Sequence, residues 1–432
     1  MKLPIIYMII ILNINKIISK LFYIPFTEYY GSYYMNLTLG NPHQTQLKSI
    51  DLELQITWTD NIFYKPINSS TSKKISETFL SFRKIDLYGF IYSDIITFIN
   101  EEYKPINLNN FHFAVINNTR GYDSRIGGFG FCFKFTDFKY SIIHNLFYQN
   151  LISKKKFGIV PNNIFNDNIN NNFRNKNIIN NNNFGKFFFG GIPLNLTYNL
   201  YKSSCKITEK YNFWSCELSY IFIGEISEKY ENKYYKNNDY SYFNSAESRI
   251  LVPEKFMIYL KENYLKQYLE NKTCNYILYG MNYRFECECN IIKNLDKLTF
   301  IFDSFQFIFN YSQLFIFYGN NICNSIIYSN HLRYNNFVFG VPFLKNFYTE
   351  FSYDDKIIFF YSNNKFESIE WDKIFRWRKS IRYLFYLILI LFFSFSCFYL
   401  RILLKKKKRK GFQKFSKKLN QEKNDNYIEL QE

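Results

Sequence analysis

The sequence predicts an all-β, two-lobed fold that is followed by one transmembrane helix. Up to about residue 375, short runs of β-branched and aromatic residues alternate with Gly, Asn, Asp or Pro, a pattern typical of strands and turns. Residues 383–400 carry no charged side chain and, as a helix, are long enough to cross the hydrocarbon core of a bilayer. The 432-residue chain is also long enough to bury a sizeable core.

The chain begins with a short apolar segment. Lys2 is followed by an apolar run at 3–12, which is short for a membrane span and typical of the central part of a signal peptide. We therefore assign residues 1–22 to a signal peptide. An uncleaved anchor is the alternative, because no clear small-residue cleavage site follows.

Two lobes are predicted next, an N-terminal lobe at 25–195 and a C-terminal lobe at 196–375. Within the first, residues 162–183 are nearly all Asn and Ile, which indicates a low-complexity surface loop. The clearest amphipathic helix is at 254–269, after Pro253. The principal predicted strands lie at 33–39, 85–92, 111–115, 186–189, 215–223, 298–309 and 337–341.

The last elements are a transmembrane helix at 383–404 and a basic tail at 405–432. The block Lys405–Lys410 is more strongly basic than the Arg residues before the span, so the tail should stay cytosolic and the lobes should be lumenal or extracellular. The protein is then a single-pass type I membrane protein of the secretory pathway or cell surface. The basic tail is interpreted as a stop-transfer flank, with an anionic-lipid switch as the alternative.

Composition bears on the possible partners. A net charge of +18 and 22% aromatic residues are compatible with nucleic-acid binding. However, the lysines are scattered, and high Asn, Ile, Lys, Phe and Tyr usage is typical of an AT-rich genome. We therefore expect no nucleic-acid partner and a monomer.

Cysteine usage indicates an oxidising compartment. Seven of the eight cysteines precede the predicted span, and Cys397 lies inside it. Proximity makes Cys205 with Cys216, and Cys274 with Cys287, plausible local pairs. A zinc site is the competing use, but Cys287-x-Cys289 lacks the usual two-residue gap and a nearby His. We expect no metal and no cofactor.

A series of motifs resembles the pepsin-like aspartic proteases, in particular the plasmepsin group. GNPHQ at 40–44, Asp51 and Trp58 have the spacing of that family's first catalytic segment. NSAES at 244–248 is similar to the second, and the twenty residues from 338 to 357 are similar to the family's closing segment. Three further matches lie between them in the family's order, at 128–130, 187–192 and 213–224.

The resemblance implies two related barrels with a cleft between them and one catalytic aspartate from each. Such catalysis needs two carboxylates that share one proton, so that one acts as the base and the other as the acid. Asp51 matches the first position, whereas Asn244 stands at the second and cannot ionise. The Thr-Gly that follows the first aspartate is replaced by Leu52 and Glu53. The catalytic pair is therefore expected to be impaired.

Two further site residues are implied by the resemblance. Phe82 aligns with the tyrosine of the hairpin that closes over substrate in this family, and Arg83 with the Gly that follows. Ser245 aligns with the hydroxyl residue that joins the two catalytic loops. Phe82 and Ser245 are the predicted polypeptide-binding residues. The family pattern also implies a disulfide between Cys289 and Cys323.

The sequence leaves several functions open. We favour a membrane-anchored pseudoprotease that binds polypeptide in its cleft. The alternatives are an active endopeptidase with an atypical dyad, such as Asp51 with Glu247, and a structural surface protein. No Gly-x-Ser-x-Gly elbow or Cys-His signature supports another hydrolytic mechanism.

Overall fold

The structure of the protein is a computed structural model. The predicted signal segment up to residue 19, residues 163–183 of the predicted Asn-rich loop, and Arg83 lie outside its described part. The residues that it describes are 20–82, 85–100, 102–117, 127–162, 184–224, 233–237, 240–330, 336–368 and 371–428.

The chain divides into a β-rich unit that ends at Ile369 and a helical unit that begins at Glu370. The described strands are β1 (Phe22–Tyr29), β2 (Ser32–Leu39), β3 (Gln44–Asp51), β4 (Trp58–Asp60), β5 (Lys73–Phe82), β6 (Ile85–Ile99), β7 (Pro105–Ile116), β8 (Gly128–Gly130), β9 (Lys156–Pro161), β10 (Gly185–Phe189), β11 (Tyr201–Lys206), β12 (Ser215–Ile223), β13 (Lys233–Lys236), β14 (Tyr240–Phe243), β15 (Ile250–Val252), β16 (Cys274–Tyr279), β17 (Asn282–Glu288), β18 (Leu298–Phe302), β19 (Phe305–Phe309), β20 (Phe315–Gly319), β21 (Ile322–Ser329), β22 (Phe337–Phe339), β23 (Tyr348–Ser352) and β24 (Ile357–Ser362). The helices are α1 (Ile142–Tyr148), α2 (Leu194–Thr197), α3 (Glu254–Asn263), α4 (Lys266–Glu270), α5 (Tyr311–Leu314), α6 (Val341–Leu344) and α7 (Trp371–Ile428).

The first sheet contains thirteen of the described strands, in the order β11-β24-β23-β9-β10-β1-β2-β3-β8-β4-β7-β6-β5. Strand β1 alternates between buried and more exposed side chains, with Phe22, Ile24 and Phe26 facing the core, whereas β23 is buried along its whole length. Strands β11, β23 and β24 come from beyond residue 195, so this sheet crosses the predicted lobe boundary. The exact division at 195/196 stays a prediction.

The second sheet contains eleven described strands. Nine follow the order β16-β17-β21-β15-β22-β14-β12-β18-β19, while β13 pairs with β12 and β20 pairs with β21. Its core is built largely from phenylalanine: the Phe339 ring lies 4.8 Å from Phe343 and 5.2 Å from Phe302, measured between centroids. Aromatic side chains bury a large apolar area each, so they provide much of the stabilising burial.

A four-strand arrangement occurs once in each sheet. In the first, β3 runs parallel to β8, β8 antiparallel to β4, and β4 parallel to β7. In the second, β14 runs parallel to β22, β22 antiparallel to β15, and β15 parallel to β21. Asp51 ends β3, and Asn244 directly follows β14. The two residues therefore occupy equivalent places.

Several predicted elements differ from the structure in their number or their ends. The predicted strand 298–309 is two strands, because the chain turns between β18 and β19 with Asp303 in the left-handed region at φ 52°. The predicted helix 254–269 is two helices, α3 and α4, with a break around Tyr264 and Leu265. Strand β22 ends at Phe339, and the rest of the predicted strand 337–341 leads into α6.

Three disulfides join cysteines of the β-rich unit. Cys289–Cys323, the pair that the family resemblance implied, is confirmed. The two local pairs, Cys205–Cys216 and Cys274–Cys287, are also present. Both Cys287 and Cys289 are used in disulfides, so the zinc alternative is wrong. Cys132 and Cys397 are free.

The helical unit contains one helix that is long and apolar enough to cross a membrane, among the residues described. The candidate span is Tyr383–Ser416, within α7, and it includes the predicted span 383–404. This supports a single-pass anchor. The predicted C-terminal lobe boundary at 375 lies a few residues inside α7, which begins at Trp371.

Candidate active site

The first loop, residues 51–54, begins where β3 ends. Asp51 is 3% exposed, and its Oδ1 accepts a 2.8 Å hydrogen bond from the backbone N–H of Glu53. Its backbone carbonyl accepts a 2.9 Å bond from Phe131 N–H, just after β8. The carboxylate is therefore held by the backbone of its own loop, and the loop is held by the neighbouring strand.

The second loop, residues 244–247, repeats this geometry. Asn244 has no exposed surface, and its Oδ1 accepts a 2.8 Å hydrogen bond from the N–H of Ala246. Its own N–H donates to the carbonyl of Phe339 in β22, at 3.0 Å. In both loops the side-chain oxygen of the leading residue thus accepts from the residue two positions on.

The amide orientation of Asn244 follows from that hydrogen bond. Because Oδ1 faces the Ala246 N–H, Nδ2 is the other side-chain polar atom, and this buried nitrogen has no hydrogen-bond partner among the residues that the structure describes. Leaving a buried donor unpaired costs about 1–3 kcal/mol. Buried polar groups are otherwise nearly always paired, so the exception calls for an explanation.

A direct hydrogen bond joins the two loops. Ser245 Oγ donates to the carbonyl of Ile50, the residue before Asp51, at 2.7 Å. Leu52, which stands at the corresponding position of the first loop, has no hydroxyl with which to return such a bond. The second loop also contacts the start of β2, where Tyr33 N–H donates to Ser245 O at 3.0 Å and Ser32 Oγ to Ala246 O at 3.0 Å.

Glycines allow the strands behind the loops to approach closely. A Cβ on Gly128 would lie 2.2 Å from Leu54 Cδ1, and one on Gly130 would lie 2.6 Å from Leu54 O. A Cβ on Gly340 would lie 2.2 Å from Glu247 O. These separations are far below van der Waals contact, so the Gly-Phe-Gly at 128–130 and Gly340 are dictated by packing against the two loops.

Glu247, the carboxylate of the alternative Asp51/Glu247 dyad, is paired with an arginine. It is 5% exposed, and its Oε1 accepts a 2.8 Å hydrogen bond from Arg249 Nε. The Arg249 guanidinium in turn lies over the Tyr328 ring, 5.1 Å from its centroid. The buried Glu247 carboxylate is therefore engaged by Arg249.

The predicted flap corresponds to the hairpin of β5 and β6. The backbone of Phe82 pairs with that of Ile85 at the end of β5. The role of Phe82 as the flap residue stays a prediction. Strand β5 is the last in the order of the first sheet.

Comparison with known proteins agrees with this arrangement. The sequence model of the eukaryotic aspartyl protease family matches residues 32–362, most of the chain. The chain belongs to this family. The crystal structure of the aspartic proteinase from Irpex lacteus matches the fold with a TM-score of 0.60 and 14% sequence identity, over 79% of this chain and 97% of that one. No curated protein sequence matches the chain. The predicted pepsin-like, all-β fold class is confirmed.

Two buried groups near the first loop were not identified from sequence. Cys132 follows β8, and its thiol donates to Lys134 O at 2.7 Å. Burial raises the pKa of this thiol well above its ordinary value, and the charge of Asp51 raises it further. Both effects favour the protonated thiol, which is less reactive than a thiolate.

Lys48 is the second group. It lies in β3, is 1% exposed, and donates from Nζ to Thr59 Oγ1 at 2.7 Å. Burial lowers its pKa to about 7, although Asp60 opposes the shift. The burial of Lys48 could have been inferred from the alternation of β3. Gln46, Lys48 and Ile50 share one face of this strand, and the apolar Ile50 indicates that this face is buried.

No group of three or more His, Cys, Asp or Glu side chains is placed to hold a metal ion among the residues that the structure describes.

Proposed function

We propose that this member of the eukaryotic aspartyl protease family is a catalytically impaired, membrane-anchored pseudoprotease that binds an extended polypeptide in its cleft. The observation that carries the proposal is Asn244 at the place equivalent to Asp51, with the same backbone hydrogen bond to its Oδ1. The position is occupied and ordered, but it holds an amide.

A single carboxylate cannot act as both the general base and the general acid. Hydrolysis requires a base to activate water and an acid to polarise the scissile carbonyl, and the two aspartates of this family exchange one proton between these roles. Asn244 can donate a hydrogen bond but cannot accept or release a proton at working pH. Asp51 alone therefore supports binding but not turnover.

Binding, by contrast, needs only what is retained. Strand-like peptide recognition relies on main-chain hydrogen bonds to an exposed strand edge, and β5 is an end strand of its sheet. Ser245 still joins the second loop to the first. We place Phe82 and Ser245 in the polypeptide-binding site on this basis.

The rival function is an active endopeptidase with an atypical dyad. It is favoured by family membership alone, and it is opposed by the Arg249–Glu247 pair, which occupies the most plausible replacement carboxylate.

For the cellular setting, we propose a monomeric, single-pass type I protein with a cleaved signal peptide, its β-rich unit lumenal or extracellular and its tail cytosolic. The candidate span within α7 and the basic residues after it support this placement. The resemblance to the plasmepsin group is part of the same proposal.

The test uses the full-length protein in detergent and a reduced, carboxymethylated carrier polypeptide. We expect intact carrier after incubation between about pH 4 and 6, the range in which an aspartate dyad holds one proton. We also expect the carrier to slow hydrogen exchange at β5, β6 and both loops.

Cleavage by the unaltered protein that disappears in Asp51→Ala would establish the rival function. Unchanged exchange at both loops in the presence of carrier would show that the cleft does not bind polypeptide.

A further inference from the structure

We propose that Asn244 Nδ2 is a permanent hydrogen-bond donor to an oxygen of the bound polypeptide, and that recognition at this position is independent of pH. The inference rests on the proposed function, because it assumes a polypeptide in the cleft. It goes further by assigning the atom that makes the contact and the group that it takes, a neutral carbonyl or hydroxyl oxygen.

The first step is the orientation of the amide. Ala246 N–H donates to Oδ1 at 2.8 Å, and a flipped amide would set Nδ2–H₂ against that donor. The flip would therefore replace a hydrogen bond with a repulsive contact. The loop thus fixes Nδ2 as the atom left to contact a ligand.

The second step is the unpaired state of that atom. Nδ2 is buried and has no hydrogen-bond partner within the described part of the chain, while Oδ1 and the backbone N–H of the same residue are both paired. A ligand oxygen that accepts a hydrogen bond from Nδ2 pairs this donor. A ligand with that oxygen should therefore bind more tightly than the same ligand without it. The unpaired donor is thus an observation that points to an acceptor.

The third step concerns protons. A carboxylic acid at this position donates only while it is protonated, so its contact with a ligand oxygen weakens as the pH rises. A carboxamide does not titrate and donates at every pH. The titratable groups on the elements that meet here are Asp51, Glu53, Glu247 and Cys132, and they are shared by any variant of Asn244. Comparing variants therefore isolates the contribution of residue 244.

The fourth step is access. Asn244 has no exposed surface in the ligand-free protein, and Asp51 is 3% exposed. An incoming oxygen reaches Nδ2 only after the groups that cover it move. Ligand binding should therefore change hydrogen exchange in the second loop, which provides a readout separate from affinity.

The experiment measures binding of pepstatin, a peptide whose statine hydroxyl stands where a scissile carbonyl would lie, to the full-length protein in detergent at pH 4.5 and 7. We expect the dissociation constant of the unaltered protein to change by less than about threefold between them. Asn244→Asp retains the acceptor for Ala246 N–H, so it should bind at pH 4.5 and weaken by about tenfold or more at pH 7, where the donor is lost. Asn244→Leu should bind about tenfold more weakly at both values.

The proposal is overturned if the unaltered protein weakens with pH as Asn244→Asp does, if Asn244→Asp is as insensitive to pH as the unaltered protein, or if the unaltered protein does not bind pepstatin at all. Should Asn244→Leu fail to fold, Asn244→Asp still decides the question. Carrier polypeptide that slows exchange at both loops while residue 244 has no effect on affinity would refute this inference and leave the proposed function standing.

Discussion

At the scale of single residues, the two loops share one hydrogen-bond pattern although their leading residues differ in chemistry. Asp51 and Asn244 accept equivalent hydrogen bonds from Glu53 and Ala246, each at 2.8 Å. Aspartate and asparagine differ in shape by very little, so the fold of the second loop does not require the carboxylate. Asparagine in place of aspartate therefore removes a group that can transfer a proton but keeps the backbone hydrogen bond within the second loop.

We predict that Asn244→Asp alone will not restore acid-dependent cleavage. Leu52 has no hydroxyl to bond the second loop, and Glu53 adds a long acidic side chain next to Asp51, so we expect the two carboxylates to be misplaced. A misplacement of about 1 Å can lower the rate of catalysis on the order of a hundredfold. Digestion of a peptide library between about pH 4 and 6 is the measurement.

The matched variant combines Asn244→Asp and Ala246→Gly with Leu52→Thr, Glu53→Gly and Leu54→Ser, which we regard as the minimum for measurable activity. Its control carries Asp51→Ala in the same background and should be inactive. Cleavage by the single Asn244→Asp variant would show that the first loop is competent as it stands.

A second prediction concerns Lys48. Its pKa is about 7 in the folded protein and 10.5 ordinarily, so folding favours the neutral amine. The contribution of Lys48 to the free energy of unfolding is therefore greatest above about pH 10.5 and decreases as the pH falls towards 7. Below about pH 7 this contribution is lost. Between about pH 9.5 and 7, the unaltered protein should therefore lose a few kcal/mol more stability than Lys48→Met.

Denaturant unfolding of the full-length protein at several pH values measures this difference. Lys73→Met, a substitution at an exposed lysine of β5, is the control and should leave the pH profile unchanged. A Lys48→Met profile that runs parallel to that of the unaltered protein would mean that Lys48 is charged in the folded state.

Sequence alone identified Asp51 and Asn244, which lie at equivalent strand ends, because their spacing from Gly40 and Trp58, and from Pro253, is set by short local segments. It did not locate the groups whose character depends on distant neighbours. Cys132 is affected by Asp51 through β3–β8 pairing, and Arg249 stacks on Tyr328 through β15–β21 pairing. Such contacts follow from strand order, which a single sequence does not specify.

At the scale of elements, strand existence was more predictable than strand ends. The strand predicted at 33–39 is β2 without its first residue, whereas the run at 298–309 hides a turn. Asp303 adopts a positive φ at this turn, and because the residue is not glycine the sequence does not indicate the turn. The flanking residues, apolar on both sides, read as one continuous strand.

The Cys289–Cys323 disulfide gives a prediction at this scale. The pair is separated by 34 residues and joins the segment after β17 to β21. Replacing both cysteines by serine should lower the free energy of unfolding by about 4 kcal/mol on loop-closure grounds. The measurement is the denaturant midpoint under non-reducing conditions.

Cys397→Ser removes a free cysteine of α7 and serves as the control, with no expected change in the β-rich unit. A loss much below 1 kcal/mol in the double variant would indicate that the loop is closed equally well by the strand pairing alone.

At the scale of the whole molecule, the predicted topology is open to a direct test. With the β-rich unit lumenal, protease added to sealed microsomes should remove the tail after Lys405 and spare everything before Arg382. Epitope tags at the two ends report which fragment survives, and digestion after detergent treatment should remove both. Survival of the tail with loss of the β-rich unit would show that the orientation is the opposite of the predicted one.

The replacement of Lys405–Lys410 by glutamine provides the matched variant. Because the arginines before the span would then be the denser basic flank, a fraction of molecules should insert in the opposite orientation. Insertion that is unchanged by this replacement would show that the N-terminal segment, rather than the basic block, determines orientation.

The composition of the first sheet has a consequence for the order of events during synthesis. Strand β1 is next to β10, β10 next to β9, β9 next to β23, and β23 next to β24, so neighbours in the sheet come from the beginning, the middle and the end of the β-rich unit. Contacts of such long sequence separation form slowly. The sheet stays unfinished until Ser362 has left the ribosome, and the candidate span begins soon afterwards at Tyr383. If the span inserts as it emerges, the final strands pair on a chain that is already tethered to the membrane. A nascent chain truncated before β23 would leave β9 as an unpaired strand edge, to which chaperones or other chains can bind.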